Sequence, residues 1–117
     1  MKYSFAIPKR SLFLLFFNLL LLCCGTPEER IVNKPRARTV RIRQMQFQPA
    51  ELTANTGDTV VFVNEDMVAH DVTEEASKAW ASGPMATGSS WKMLVTEDAN
   101  YYCSIHVVMK GKIKVVK

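Results

Sequence analysis

"ANYYCSIHVVMKGKIKVV", residues 99–116, contains two strand-like segments with a cysteine, a histidine and a methionine at three-residue intervals between them. Side chains alternate between the two faces of an extended strand, so Cys103, His106 and Met109 cannot share one face of a continuous strand. They converge only if the chain leaves the strand at Cys103 and loops round, and Gly111 is placed to end such a loop. The stretch therefore predicts a strand, a loop that gathers three side chains, and a final strand.

The rest of the chain after residue 38 repeats short segments of period two, which is the signal of β-strands. Such segments are predicted at residues 39–43, 51–54, 59–63, 90–95, 100–103 and 112–117. Met45 and Phe47 continue the first segment one residue out of phase, which predicts a bulge near Gln44. "NTGD", residues 55–58, predicts a turn because Gly57 can supply a positive φ.

Seven or so short strands without a long helical pattern predict a small all-β sandwich. The polar stretch between Thr73 and Pro84 predicts a loop or a short helical segment. Trp80 and Trp91 are interpreted as core or rim aromatics of this sandwich.

The N-terminus has the pattern of an export signal, with Lys2, Lys9 and Arg10 ahead of an apolar run at residues 11–22. This run is too short for a comfortable membrane span. Leucines leading into Cys23 and Cys24 resemble the lipobox of bacterial lipoproteins, in which a cysteine becomes the lipidated N-terminus. We expect Cys24 to be that residue; ordinary signal cleavage nearby and a retained N-terminal anchor are the alternatives.

These features divide the chain into a lipoprotein-type signal peptide at residues 1–23, a linker or tether at residues 24–38, and one domain at residues 39–117. The full chain has a formal net charge of +4, which falls to 12 − 11 = +1 without the signal peptide. The high pI therefore does not indicate nucleic-acid binding. The basic linker is either a tether beside an anionic lipid surface or an ordinary solvated segment.

Cys103 is the only thiol left in the chain if Cys24 is lipidated. An unpaired cysteine in an exported protein invites oxidation, so it is either a buried, inert residue or a metal ligand. The two histidines of the chain, His70 and His106, complete with Cys103 and Met109 a His-Cys-His-Met set. A thiolate, two imidazoles and a weak thioether are the ligands of a blue-copper electron-transfer centre, whereas zinc favours more thiolates or a carboxylate.

The segments "FQPAELTANTGDTVVFVNEDMVAHDV", residues 47–72, and "ANYYCSIHVVMKGKIKVV" resemble the small cupredoxins, in particular the plastocyanin, pseudoazurin and amicyanin group. The resemblance covers residues 39–117. It implies a cupredoxin-type Greek-key β-sandwich of about seven to eight strands, with one type 1 copper ion at one end. Its implied copper ligands are His70, Cys103, His106 and Met109. The C-x2-H-x2-M spacing matches the short loop of the amicyanin-like branch.

Two residues depart from the pattern of this family. A proline often follows the second histidine, where this chain has Val107. The residue after the first histidine is commonly an asparagine that ties the two ligand loops together, and here it is Asp71. The resemblance implies that Asp71 hydrogen-bonds to Ser104, the residue after the cysteine.

These features predict an electron carrier and not an enzyme, exported to the periplasm or cell envelope, monomeric and without nucleic-acid partners. Transient redox partners are expected to dock near His106, where an apolar patch is predicted from both ligand loops: Met67, Val68, Ala69, Val107 and Val108. The rival hypothesis is a periplasmic copper chaperone or storage protein. Four further methionines support it (Met45, Met67, Met85 and Met93), but they are scattered and form no M-x-x-M cluster.

Overall fold

The computed structural model describes Gly25 and residues 33–116; the predicted signal peptide, Cys24 and part of the linker lie outside these residues. Eight strands follow one another within the described part of the chain. They are β1 (Ala37–Arg43), β2 (Gln46–Gln48), β3 (Glu51–Asn55), β4 (Thr59–Asn64), β5 (Thr73–Glu74), β6 (Ser90–Leu94), β7 (Ala99–Tyr102) and β8 (Lys110–Val116). No helix of the described residues is long and apolar enough to cross a membrane.

The strands form two four-stranded sheets, with the orders β2-β1-β4-β6 and β3-β8-β7-β5. The pairs β1–β4 and β3–β8 are parallel, and all other neighbours are antiparallel. Each parallel pair joins strands that are distant in the sequence, so the chain crosses between the sheets repeatedly. The predicted all-β sandwich is confirmed.

Two local predictions need correction. The first strand does not continue through a bulge, because Gln44 and Met45 form a tight turn with φ values of 51° and 59°, and β2 starts a separate strand at Gln46. Of the two alternatives predicted for the stretch between Thr73 and Pro84, the structure shows the loop and, among the described residues, no helical segment. The correction is the two-residue strand β5 at its start, which pairs with β7.

The interior between the two sheets is filled by the inward-facing residues of both. The fully buried ones include Val40, Ile42, Val60, Phe62, Tyr101 and Ile113. Rings from the two sheets meet edge to face, with the Tyr101 centroid 4.9 Å from that of Phe47 and 5.2 Å from that of Phe62. Trp80 and Trp91 are partly buried and pack against this core, as predicted.

The predicted turn at residues 55–58 is present, with Gly57 at a φ of 90°. Asp58 is buried, and its carboxylate accepts hydrogen bonds from the backbone N–H of Asn55 (3.0 Å) and of Arg36 (2.8 Å). These two bonds, Asn55 first, lower the pKa of Asp58 from its ordinary value. The turn between β3 and β4 is thereby fastened to the residue that precedes β1.

A second carboxylate organises the loop after β5. Buried Glu74 accepts hydrogen bonds from the Ser77 hydroxyl (2.7 Å) and from the backbone N–H groups of Ser77 and Ala76 (2.7 Å each). The Ser77 side chain and then these backbone donors lower the pKa of Glu74 to about 2. These backbone N–H groups have no acceptor in a helix or a sheet, and the Glu74 carboxylate accepts their hydrogen bonds instead.

Gly111 lies on β8 directly against the Tyr101 ring, and an added Cβ would lie 2.3 Å from two ring carbons. Because Tyr101 is fully buried and cannot move aside, we expect Gly111→Ala to lower the free energy of unfolding by about 1–3 kcal/mol. Denaturant titration measures this. Lys114→Ala, at an exposed position of the same strand, is the control and should change stability far less. Equal stability of Gly111→Ala and wild type would contradict the observed contact.

The Glu74 carboxylate predicts a dependence of stability on acid. With a pKa of about 2 in the folded protein and 4.5 as its ordinary value, Glu74 stabilises the fold fully above about pH 4.5. As the pH falls from there towards 2, the unfolded chain takes up a proton that the folded protein does not, and stability is lost. Glu74→Gln should therefore flatten this part of the stability–pH curve, whereas Glu97→Gln, at an exposed position, should leave its slope unchanged.

Candidate metal centre

His70 stands at the end of the loop that follows β4, and it is fully buried. Two backbone hydrogen bonds pair it with Met85: the His70 N–H donates to the Met85 carbonyl (3.2 Å), and the Met85 N–H donates to the His70 carbonyl (2.7 Å). Asn64, the last residue of β4, donates from Nδ2 to the carbonyls of Val68 and Met85 at 2.9 Å each. The backbone around His70 is therefore fixed from both sides.

Cys103 follows β7 and is fully buried, and it is the free thiol of the described residues. Its backbone N–H donates to the Met109 carbonyl (3.1 Å), and the Met109 N–H donates to the His106 carbonyl (3.0 Å). These two bonds close the loop between β7 and β8 on itself. The chain does leave the strand at Cys103, as the spacing of the three residues predicts.

The closed loop brings three donor atoms together. Cys103 Sγ lies 3.8 Å from Nδ1 of His70 and 3.8 Å from Nδ1 of His106, and the two Nδ1 atoms are 3.2 Å apart. All three donor atoms lie within 4.8 Å of one another. Met109 is buried at the end of the same loop, with 3 % of its surface exposed. His106 is half-buried, so its ring is the member of the group that reaches the surface.

The arrangement fits a metal ion that accepts nitrogen and sulfur ligands. Two imidazole nitrogens and a thiol sulfur face one another at these distances, and each can offer a lone pair when it carries no proton. A single soft cation can accept a lone pair from each of them. A thiolate with two imidazoles, beside a buried methionine, is the donor set of a type 1 copper site.

Asp71 links the two ligand loops. Its Oδ1 accepts the backbone N–H of Ser104 (2.5 Å), and its Oδ2 accepts the Ser104 hydroxyl. The Asp71 N–H in turn points to Cys103 Sγ at 3.4 Å. Asp71 is 5 % exposed. A negative charge therefore lies next to His70 in the sequence and close to Cys103 in space, shielded from solvent.

Asp66 is a site residue that the sequence analysis missed. Its Oδ2 lies 2.9 Å from Nε2 of His70, on the side of the ring opposite to the Cys103 thiol. The backbone N–H of Met45 and that of Gln44 also donate to this carboxylate, and with His70 they lower its pKa, Met45 contributing most. A carboxylate four residues before a candidate ligand was the signal available in the sequence.

The predicted apolar patch is exposed on the two ligand loops. Met67 has 94 % and Val108 83 % of its surface accessible, and Val68, Ala69 and Val107 are also exposed. Ile105 and Met45, at 47 % and 40 %, are two exposed apolar side chains that the sequence analysis did not include. Large side chains of this kind, exposed together on neighbouring loops, mark an interaction surface more often than an inert one.

Comparison with known proteins gives consistent results. The family model described as copper binding proteins, plastocyanin/azurin family, matches residues 36–116. Amicyanin from Paracoccus denitrificans is 32 % identical over 85 residues, which are 68 % of this chain and 65 % of amicyanin. The chain thus spans about 65 % of the length of that relative.

Solved structures show the same likeness. A reduced amicyanin point mutant superimposes with a TM-score of 0.64 at 29 % identity, covering 68 % of this chain and 82 % of amicyanin. The Cu-containing nitrite reductase (NirK) from Thermus scotoductus SA-01 gives a TM-score of 0.65 at 28 % identity. That match covers 72 % of this chain but 23 % of the enzyme.

Replacing Asp71 by Asn is expected to raise the reduction potential of bound copper, because the removed negative charge stabilises Cu(II) relative to Cu(I). A charge at short range and moderate screening is worth on the order of 1 kcal/mol, or roughly 40 mV for one electron. Asn keeps an acceptor for the Ser104 N–H, so the visible spectrum should change little. Voltammetry of both proteins measures the shift, with Asp98→Asn on the β6–β7 connection as the control for a distant charge. An unchanged or lower potential in Asp71→Asn would show that the charge does not act on the metal.

Proposed function

The chain belongs to the plastocyanin/azurin family of copper-binding proteins, and we propose that it carries single electrons between redox partners at one type 1 copper ion. The convergence of Nδ1 of His70, Sγ of Cys103 and Nδ1 of His106 on one point is the observation that carries this proposal. His70, Cys103 and His106 would hold the ion with two imidazole nitrogens and a thiolate. Met109 would supply a weak thioether ligand, because it is buried and its backbone hydrogen-bonds to that of Cys103.

Copper in such a ligand set exchanges one electron with little rearrangement, because sulfur ligands favour Cu(I) and imidazoles suit both oxidation states. The protein contributes a rigid and dry environment. His70 and Cys103 are inaccessible to solvent, which protects the thiolate from oxidation. Backbone hydrogen bonds from Met85 and Met109 hold these two ligands in place whatever the charge on the metal.

His106 is the proposed point of electron exchange, since it is the partly exposed member of the ligand group. The exposed apolar patch on the ligand loops, with Met67 and Val108 as its most accessible side chains, supports docking of a partner there. Contacts made mainly by apolar side chains over a small area suit brief encounters. We propose that the domain acts as a monomer, and that its partners are proteins and not nucleic acid.

An electron carrier is favoured over an enzyme by the same geometry. Two of the proposed ligands, His70 and Cys103, are fully buried, so a small-molecule substrate has no direct access to them. The match to the nitrite reductase covers 23 % of that enzyme and brings no activity with it. A copper chaperone or store is disfavoured because a fully buried thiol in a hydrogen-bonded loop is poorly placed to exchange its metal.

We further propose that the protein is exported to the periplasm or cell envelope and tethered to a membrane. The proposed organisation is a lipoprotein-type signal peptide at residues 1–23, a linker at residues 24–38 and the copper domain at residues 39–117. The apolar run at residues 11–22 and the cysteine at position 24 support it. Lipoprotein-type modification supplies more than one acyl chain, which stable anchoring requires.

The ligand assignment is tested by Cys103→Ser and Met109→Leu in copper-loaded protein. Because the blue colour arises from charge transfer involving the thiolate, Cys103→Ser should lose the visible band while its far-UV circular dichroism stays that of a β-sandwich. Met109→Leu should keep the band and raise the reduction potential, since it removes an axial donor that favours Cu(II). A full visible band in Cys103→Ser would overturn the site, and the absence of a reversible one-electron wave in wild type would favour the chaperone or store.

The location is tested by Cys24→Ser, with Cys23→Ser as the matched control. If Cys24 is the modified residue, its replacement should abolish incorporation of labelled fatty acid and leave the protein soluble or unprocessed. Cys23→Ser should still be labelled. Loss of label in the control alone would move the site to Cys23, and no label in wild type would rule out lipidation.

A further inference from the structure

The turn between β1 and β2 has an unusual backbone. Both of its central residues, Gln44 and Met45, have positive φ values (51° and 59°), although neither is glycine, asparagine or aspartate. Side chains of this kind are unfavourable in the left-handed region, and such residues persist only where the surroundings hold them. The turn therefore needs a compensating interaction.

The compensating group is the carboxylate of Asp66, on the loop after β4. Its Oδ1 accepts the Gln44 N–H at 2.6 Å, and its Oδ2 accepts the Met45 N–H at 2.9 Å. Successive backbone N–H groups in the left-handed conformation form a concave site for an anion, and here the anion is a side chain of the same molecule. The Asp66 N–H itself donates to Oδ1 of Asn64 (3.0 Å), which fixes the carboxylate relative to the sheet.

The same carboxylate faces His70. Its Oδ2 lies 2.9 Å from His70 Nε2, while His70 Nδ1 faces the Cys103 thiol and the His106 ring. A neutral imidazole has one N–H, and an acceptor-only carboxylate at Nε2 places that proton there. Nδ1 is then left with a free lone pair directed at the metal position.

We propose that Asp66 is a positioning residue that makes the strained Gln44–Met45 turn part of the metal site: it holds the turn and the tautomer of His70 with one carboxylate. The proposal has a consequence for metal binding, which rests on the proposed copper site. Coupling between two sites is reciprocal. If the turn favours the metal-binding form of His70 through Asp66, then metal binding at His70 stabilises the turn to the same extent.

Two measurements by NMR test the proposal, with Asp66→Asn as the test variant and Glu65→Gln as the matched control. Asn has one oxygen acceptor and a competing NH2 group, so it cannot accept from both turn N–H groups and from His70. Glu65 is the adjacent carboxylate, and it pairs with Arg41 and Arg43, not with His70. Both variants remove one negative charge from the same loop.

The first measurement is the tautomer of His70 in metal-free protein, from long-range proton–nitrogen correlations. Wild type and Glu65→Gln should show the proton on Nε2, and Asp66→Asn should show a mixture or the other tautomer. The second is hydrogen exchange of the Gln44 and Met45 amides with and without Cu(I). Cu(I) should slow it about tenfold, within the usual range of coupling between sites, in wild type and in Glu65→Gln but not in Asp66→Asn.

An unchanged His70 tautomer and an unchanged effect of Cu(I) in Asp66→Asn would overturn the proposal. If wild type binds no copper, the proposed function fails, yet the tautomer and the exchange of the turn amides in metal-free protein still decide the role of Asp66. If Asp66→Asn does not fold, the comparison is made in a Gln44→Gly, Met45→Gly background. Glycine adopts positive φ at little cost, so the turn there forms without the carboxylate.

Discussion

Two buried, chemically active side chains at the end of an apolar sandwich are the constraint on which the rest of this structure depends. His70 and Cys103 are fully inaccessible to solvent, and a buried polar group without a partner costs stability. The protein meets this cost by giving each of these side chains a specific neighbour: Asp66 for His70 Nε2 and the Asp71 N–H for Cys103 Sγ. On the inner side of the group, Nδ1 of His70, Sγ of Cys103 and Nδ1 of His106 face one another. A metal ion at this point can accept a lone pair from each of them.

Sheet topology brings these residues together from distant parts of the chain. His70 follows β4 of one sheet, and Cys103 follows β7 of the other, so the two loops meet only because the sheets pack face to face. The packing is fixed by rings that cross the interface, with Tyr101 between Phe47 and Phe62 and tight against Gly111. Since Tyr101 lies two residues before Cys103, the same contacts that stabilise the core also set the position of the thiol. Stability and site geometry therefore have a common origin here.

Most of the fold and of the candidate site could be predicted from the sequence, and the incorrect predictions have physical causes. Period-two patterns located the strands, and the three-residue spacing of Cys103, His106 and Met109 located the loop, because both are local properties of the chain. The sequence predicts a bulge near Gln44 because a turn with positive φ values is normally recognised by glycine or asparagine. This turn has neither and is held by Asp66, 21 residues after Met45. The strand β5 was missed because two residues carry no period, and pairing with β7 alone defines it. Asp66 itself was overlooked because its partners belong to two different segments.

Several carboxylates of the domain are buried, so its formal net charge does not describe the charge on its surface. Asp58 and Glu74 are buried and accept several backbone hydrogen bonds each. The pKa of Asp58 is lowered most by the Asn55 N–H, and that of Glu74 by the Ser77 hydroxyl. Asp66 and Asp71 serve the same purpose in the ligand loops. A loop has no ladder of backbone hydrogen bonds, so an acceptor-only side chain is an efficient way to satisfy several N–H groups and define one conformation. Because these acceptors belong to the protein and not to the metal, the loops can hold their ligands in place in both oxidation states of a bound ion. A one-electron carrier needs that independence, since any rearrangement between oxidation states slows the transfer.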